Sequence, residues 1–114
     1  MHELSVTENI LEVVLKHAQQ AQARQVVNIH LVIGQLASIV DDSVQFYWDM
    51  IARDTIAEMA CLHFRRIPAE FECLSCGHRF QLGDGDWLCN QCGNAQLKII
   101  AGEEFFIESI DVET

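Results

Sequence analysis

Apolar residues recur along this chain with two different periods, and the change of period divides it into elements. From Ser5 to Ala21, Val6, Ile10, Val13, Val14 and Ala18 return at three- and four-residue steps, which places them on one face of a helix. Ser5 with Glu8 three residues on has the form of a capping box, so the helix is expected to begin just after Met1-His2-Glu3. His17 falls near its far end, where the helix dipole favours a cation. From Val26 to Ile33 the step drops to two. Val27, Ile29, Leu31 and Ile33 alternate with Asn28 and His30, which predicts a strand that leaves at Gly34. A second helix is expected from Asp42 to Arg53, with Asp42 as cap, Gln45 at the matching third position, and Val44, Tyr47, Trp48 and Ile51 on its packed side. Met59 to Ile67 reads as a second alternating strand that Pro68 ends, and Cys61 within it as a buried, inert thiol. Beyond Ala101-Gly102, Phe105, Phe106, Ile107, Ile110 and Val112 make a last strand.

That last strand sets the expected architecture. Two helices and two strands make a first lobe, and a terminal strand has no better partner than the sheet of that lobe. The fold class is therefore α+β: a small mixed sheet with two helices, built from residues 1–68 together with 101–114 and carrying an inserted domain at 69–100. With 114 residues, half of them apolar, the chain can bury a core.

The insertion holds the most specific chemistry. Cys73, Cys76, Cys89 and Cys92 form two Cys-x-x-Cys pairs, each followed by a glycine, Gly77 and Gly93. The rival readings are two disulfides or a redox pair, but duplicated pairs at this separation are the pattern of a tetrahedral zinc site, a zinc ribbon. The glycines let the chain leave each turn with positive φ. A unit of this size cannot bury enough surface to fold alone, whereas structural Zn²⁺ supplies about 10–16 kcal/mol in small peptides. Four thiolates close the site, which excludes a zinc hydrolase needing an open position. His78, close behind Cys76, is expected as a solvated loop residue.

Charge narrows the partners. Seven basic against seventeen acidic residues give a net charge of −10. Zinc ribbons that bind nucleic acid neutralise phosphates with lysine and arginine, yet between Ala69 and Ile100 only Arg79 and Lys98 are basic, against Glu70, Glu72, Asp84 and Asp86. Nucleic acid is not expected as a partner, nor is membrane insertion, since no apolar stretch approaches the roughly twenty residues that span a bilayer. His2, Glu3 and Glu8 stand where a secretory signal would be basic and then apolar, so a cytoplasmic, reducing location that preserves thiols is expected.

The N-terminus is a second constellation. A methionine followed by a residue as bulky as histidine keeps its place, so the Met1 α-amine and the His2 imidazole flank one amide nitrogen. Such donors suit the planar nitrogen field of Ni²⁺ or Cu²⁺, and Glu3 can add an oxygen or its amide. Residue types alone favour the plainer reading, a polar start that complements the helix dipole. Taken with the Ile33-Gly34 strand end, the two Cys-x-x-Cys pairs and the closing strand from Ile107 to Val112, the opening Met1-His2-Glu3-Leu4-Ser5 resembles the HypA/HybF family of hydrogenase nickel incorporation proteins over the whole length. The resemblance implies a nickel metallochaperone and no enzyme. It implies Ni(II) as transferable cargo at Met1, His2 and Glu3, with Asp41 the nearest match for an aspartate that assists nickel in some members, and structural Zn(II) at Cys73, Cys76, Cys89 and Cys92. It also implies delivery to the [NiFe]-hydrogenase large-subunit precursor together with a HypB-type GTPase, with service to urease in some organisms, and it leaves monomer and homodimer open. The competing reading is a zinc-ribbon adapter that binds protein or nucleic acid without delivering nickel.

Overall fold

The helical period of the first segment becomes helix α1, Glu3–Gln20, in the computed structural model of this protein, which describes residues 3–81 and 87–114. Its buried face is Thr7, Ile10, Val14 and Ala18, while Val6 and Val13 are half-buried beside it. The hydrophobic pattern misses Thr7. Its hydroxyl donates to the Glu3 carbonyl one turn back, so it enters the core with its donor satisfied. The helix also starts earlier than its capping signal indicates: Ser5 lies exposed inside the first turn, where Glu3 supplies the acidic charge that the helix N-terminus favours.

The alternating segment forms strand β1, Gln25–Gly34, with Ile29, Leu31 and Ile33 buried and Asn28 and His30 half-buried. Helix α2, Asp41–Ile51, is not capped by Asp42. Its N-cap is Val40, extended at φ −101 and ψ 124, with no side-chain cap; Asp41 and Asp42 both sit in the first turn. Gln45 donates forward to Asp49 at 2.9 Å instead of reaching back. Val44 and Trp48 are buried with Ala52 beyond them, whereas Tyr47 and Ile51 are half-buried. The two helices pack on one another.

After α2 the Thr55 hydroxyl donates to the Ala52 carbonyl at 2.7 Å and accepts the Ala57 amide at 3.1 Å, starting a run of turns that ends with Ala60 donating to Ala57 at 3.1 Å. That run absorbs Met59, which is 74% exposed, so strand β2 is Cys61–Ile67 and begins two residues later than its pattern indicates. The C-terminal strand β6, Phe105–Glu113, completes a three-stranded sheet in the order β2-β1-β6, so the terminal strand does pair with the first lobe. The Cys61, His63 and Arg65 side of β2 lies on the exposed face of the sheet, where His63 stacks on His30 of the central strand, and Cys61 is not the buried thiol that its alternating context implies. None of the described helices is long and apolar enough to cross a membrane.

The remaining segment builds a second sheet from β3, Glu70–Cys73, β4, Arg79–Gln81, and β5, Leu97–Ala101, in the order β4-β3-β5 with both pairings antiparallel. The chain divides into two compact units, one of Met1–Val32, Ser38–Arg65 and Phe106–Thr114, the other of Ile33–Ala37 and Arg66–Phe105. The core of the second is Ala69, Phe71, Cys73, Phe80 and Cys89, with Leu36 and Leu97 against it.

Backbones approach within the second unit too closely for side chains. A Cβ on Gly34 would stand 2.0 Å from the Gly102 carbonyl oxygen, and one on Gly102, at φ +112, would stand 2.7 Å from Ala69 Cα. The Leu36 amide donates to that same Gly102 oxygen at 2.7 Å, which fixes it in place. Gly34→Ala is therefore expected to destabilise the protein by about 3 kcal/mol or more, since backbone rather than a flexible side chain must yield. Urea unfolding measures this; an unchanged midpoint would mean that the facing chain moves freely.

Candidate metal centre

Strand β3 ends at Cys73, and the turn that follows is set by the backbone. The Cys73 amide donates to the His78 carbonyl and the Gly77 amide to the Cys73 carbonyl, both at 2.9 Å. The second knuckle repeats this arrangement: Cys89 donates to the Asn94 carbonyl and Gly93 to the Cys89 carbonyl, again at 2.9 Å. Gly77 and Gly93 have φ of 76 and 75, and no atom lies within 4 Å of where either would carry a Cβ. Conformation alone, not crowding, calls for glycine at both positions.

The two knuckles bring four sulfurs together. Cys73 Sγ lies 3.5 Å from Cys92 Sγ and Cys76 Sγ 3.7 Å from Cys89 Sγ, and all four fall within 4.8 Å of one another. Disulfide sulfurs stand about 2.05 Å apart, so these are not disulfides. Four sulfurs about 2.3 Å from one tetrahedral Zn²⁺ stand about 3.8 Å apart, close to the observed spacings. Cys73 and Cys89 are buried and Cys76 and Cys92 exposed, so one thiol of each pair is anchored in the core and the other closes the cluster.

Electrostatics point the same way. Burial opposes ionisation of Cys89, but the Cys92 and Gln91 amides, each 3.4 Å from its sulfur, help to outweigh burial and hold its pKa at about 6. The backbone at Asn94 favours the Cys92 thiolate, yet the neighbouring Cys73 sulfur, burial and the other two sulfurs push its pKa up to about 12. Like charges this close cannot all ionise by themselves. A divalent cation among them removes that penalty, and the donor set fits a metal such as zinc.

Aromatic packing supports the knuckles. Phe71 and Phe80 face one another across the β3–β4 ladder with centroids 6.0 Å apart, and Trp87 meets the edge of Phe71 at 5.2 Å. His78 is not a free loop residue: it is half-buried and stacks on Phe80 at 5.8 Å with planes 11° apart. Arg79 donates to Glu72 at 3.2 Å, which spends one of the ribbon's two cations on an internal ion pair.

The expected nickel ligands are more scattered in what can be described. Met1 and His2 lie outside the described residues. Glu3 is the first residue of α1, half-buried, with its Oε2 buried and without a hydrogen-bond partner among the described residues. Asp41 is the first residue of α2. Sequence reasoning missed a cluster of Asn28, His30, His63 and Asp111 in the β2-β1-β6 sheet; alternation marks Asn28 and His30 as non-core, but only strand order joins them to the other two.

Cys73→Ala or Cys92→Ala is expected to unfold the second unit's ribbon, because an open three-thiolate site loses much of the metal's folding energy. Metal content and ribbon NMR signals check this, and retained tightly bound metal with unchanged signals would refute the ligand set. Gly77→Ala, by contrast, should cost only about 1 kcal/mol in thermal unfolding and keep the metal.

Comparison with known proteins agrees with this architecture. The family profile described as "Hydrogenase/urease nickel incorporation, metallochaperone, hypA" matches residues 1–112. A hydrogenase maturation factor HypA of Dehalococcoides mccartyi is 48% identical over 113 residues, covering 99% of this chain and 95% of its own. The HypA of Caldanaerobacter subterraneus is 39% identical, covering 99% of this chain and all of its own. The solution structure of the Ni metallochaperone HypA from Helicobacter pylori superposes with a TM-score of 0.69 at 23% identity, covering 99% of this chain and 98% of that one. A second HypA solution structure gives a TM-score of 0.74 at 23% identity, covering 98% and 96%. The two solved structures share the fold; the sequence relationship carries the membership, and the chain belongs to the HypA family of hydrogenase maturation factors, nickel metallochaperones rather than enzymes.

Proposed function

We propose that this protein carries Ni(II) on the Met1 α-amine, His2 and Glu3, assisted by Asp41, and hands it to the large-subunit precursor of a [NiFe]-hydrogenase in the cytoplasm. A HypB-type GTPase is its working partner, and Cys73, Cys76, Cys89 and Cys92 hold structural Zn(II). The observation that carries this reading is the closure of the cysteine cluster. Four sulfurs within 4.8 Å of one another complete a tetrahedron and leave no position for an acceptor's ligand. A transferable ion needs a different and open donor set. The family match begins at residue 1 and so takes in Met1-His2-Glu3, whose amine, amide and imidazole nitrogens suit a planar d⁸ ion.

Release then follows from coordination chemistry. Nitrogen donors at a chain end leave positions that an acceptor's groups can enter, and the ion moves by stepwise ligand exchange. The net charge of −10 attracts the cation, an attraction that salt screens beyond about 8 Å. A nucleic-acid adapter fits less well, since Arg79 is tied to Glu72 and acidic groups dominate the ribbon.

The terminus itself is the test. Adding two residues before Met1 removes the amine and its chelate ring without changing a side chain. Nickel affinity should fall about tenfold or more, about 1.4 kcal/mol or more, while metal content at the cysteines and thermal unfolding stay unchanged. His2→Ala should abolish the tighter nickel equivalent in the same titration. An extended protein that binds nickel as tightly as the native one would remove the amine from the site.

A further inference from the structure

The sheet β2-β1-β6 gathers a second set of metal-ligating groups, separate from the N-terminus and from the four-cysteine cluster. His30 Nε2 lies 3.1 Å from Asp111 Oδ2, and Asn28 Nδ2 donates to the same oxygen at 3.2 Å. His63 Nε2 lies 2.8 Å from Asn28 Oδ1. The two imidazoles stack with centroids 4.8 Å apart and planes 16° apart. Both rings therefore direct a nitrogen at one Asn28–Asp111 pair, and the four residues come from three strands of one sheet.

We propose that His30, His63 and Asp111 form a second, exchangeable site for a divalent transition-metal ion on the open side of this sheet. The donor chemistry is that of borderline ions such as Ni²⁺ and Zn²⁺, which favour imidazole and accept a carboxylate. Two donors about 2.1 Å from one ion stand about 3.0 Å apart at a right angle and about 3.4 Å apart at the tetrahedral angle. The observed 3.1 Å between His30 Nε2 and Asp111 Oδ2 falls between these values, so an ion can replace the hydrogen bond there with little movement of either group. The three ligand atoms do not yet stand within 4.8 Å of one another, so His63 joins by turning its ring away from Asn28 Oδ1 and toward the His30–Asp111 pair. Asn28 then remains as the group that orients the carboxylate, the usual task of a residue behind a ligand.

Asp111 meets His30 and Asn28 through one carboxylate oxygen and is open to solvent. Its side chain is 57% exposed and that of His30 36% exposed, so an ion reaches the site from solvent and keeps water in its remaining positions. Three protein ligands and open positions make a site that exchanges, unlike the closed cysteine cluster.

The experiment uses the full chain with its native N-terminus and its cysteine site loaded with zinc. Equilibrium dialysis with Ni²⁺ should give a second, weaker equivalent, and Ni²⁺ added beyond the first equivalent should broaden the ring-proton NMR signals of His30 and His63. His63→Ala and Asp111→Asn should each weaken that equivalent about tenfold or more while thermal unfolding is retained. Asp111→Asn keeps a hydrogen-bond acceptor for His30, so it still reads the site if His63→Ala disturbs the sheet. His2→Ala should leave the second equivalent intact, which separates this site from the N-terminal one: loss of nickel in His2→Ala bears on that site alone. Full retention of the second equivalent in Asp111→Asn, or broadening that spares both His30 and His63, would overturn the proposal.

Discussion

Four sulfurs held within 4.8 Å of one another cannot all carry charge unless a cation lies among them, and the second unit is organised around that constraint. Its core is small, and two of its five buried members, Cys73 and Cys89, are themselves ligands. A cation bound there would therefore neutralise part of the core as well as tie the two knuckles together. Phe71 and Phe80 share that core with the two cysteines, Trp87 meets Phe71, and β3 sits between both of its neighbours with its last residue as the first ligand. Hydrophobic burial and metal coordination are not separate contributions here, because the same residues supply both.

The first unit is held differently. Its helices bury stripes of aliphatic residues and Trp48, and its sheet draws strands from the middle and the end of the chain. One side of that sheet carries Asn28, His30, His63 and Asp111 in a continuous hydrogen-bonded set, with Arg65 reaching Glu108 at 2.7 Å nearby. Exposed ion pairs of this kind contribute little to stability. Their interest lies in chemistry: imidazole and carboxylate groups held on a rigid sheet are placed by the backbone, whereas donors at a chain end are placed only by what binds them.

The sequence by itself determined the elements and the strongest site. Spacing of three and four residues located both helices, alternation located β1, and two Cys-x-x-Cys pairs with trailing glycines located the metal cluster, because each depends on geometry within a few residues. Helix starts were misplaced for a local reason too: Ser5 and Asp42 carry capping chemistry, but Glu3 was already helical and Val40 served as the N-cap without a side-chain bond. Only tertiary structure decided the rest. Cys61 is exposed because it lies on the same open sheet face as His63. Thr7 and His78 are local exceptions: the one bonds a carbonyl four residues back, and the other stacks on Phe80 two residues on. The cluster of His30, His63 and Asp111 is the clearest case. Its members are separated by 33 and 48 residues of chain, and no local period relates them; the order β2-β1-β6 does.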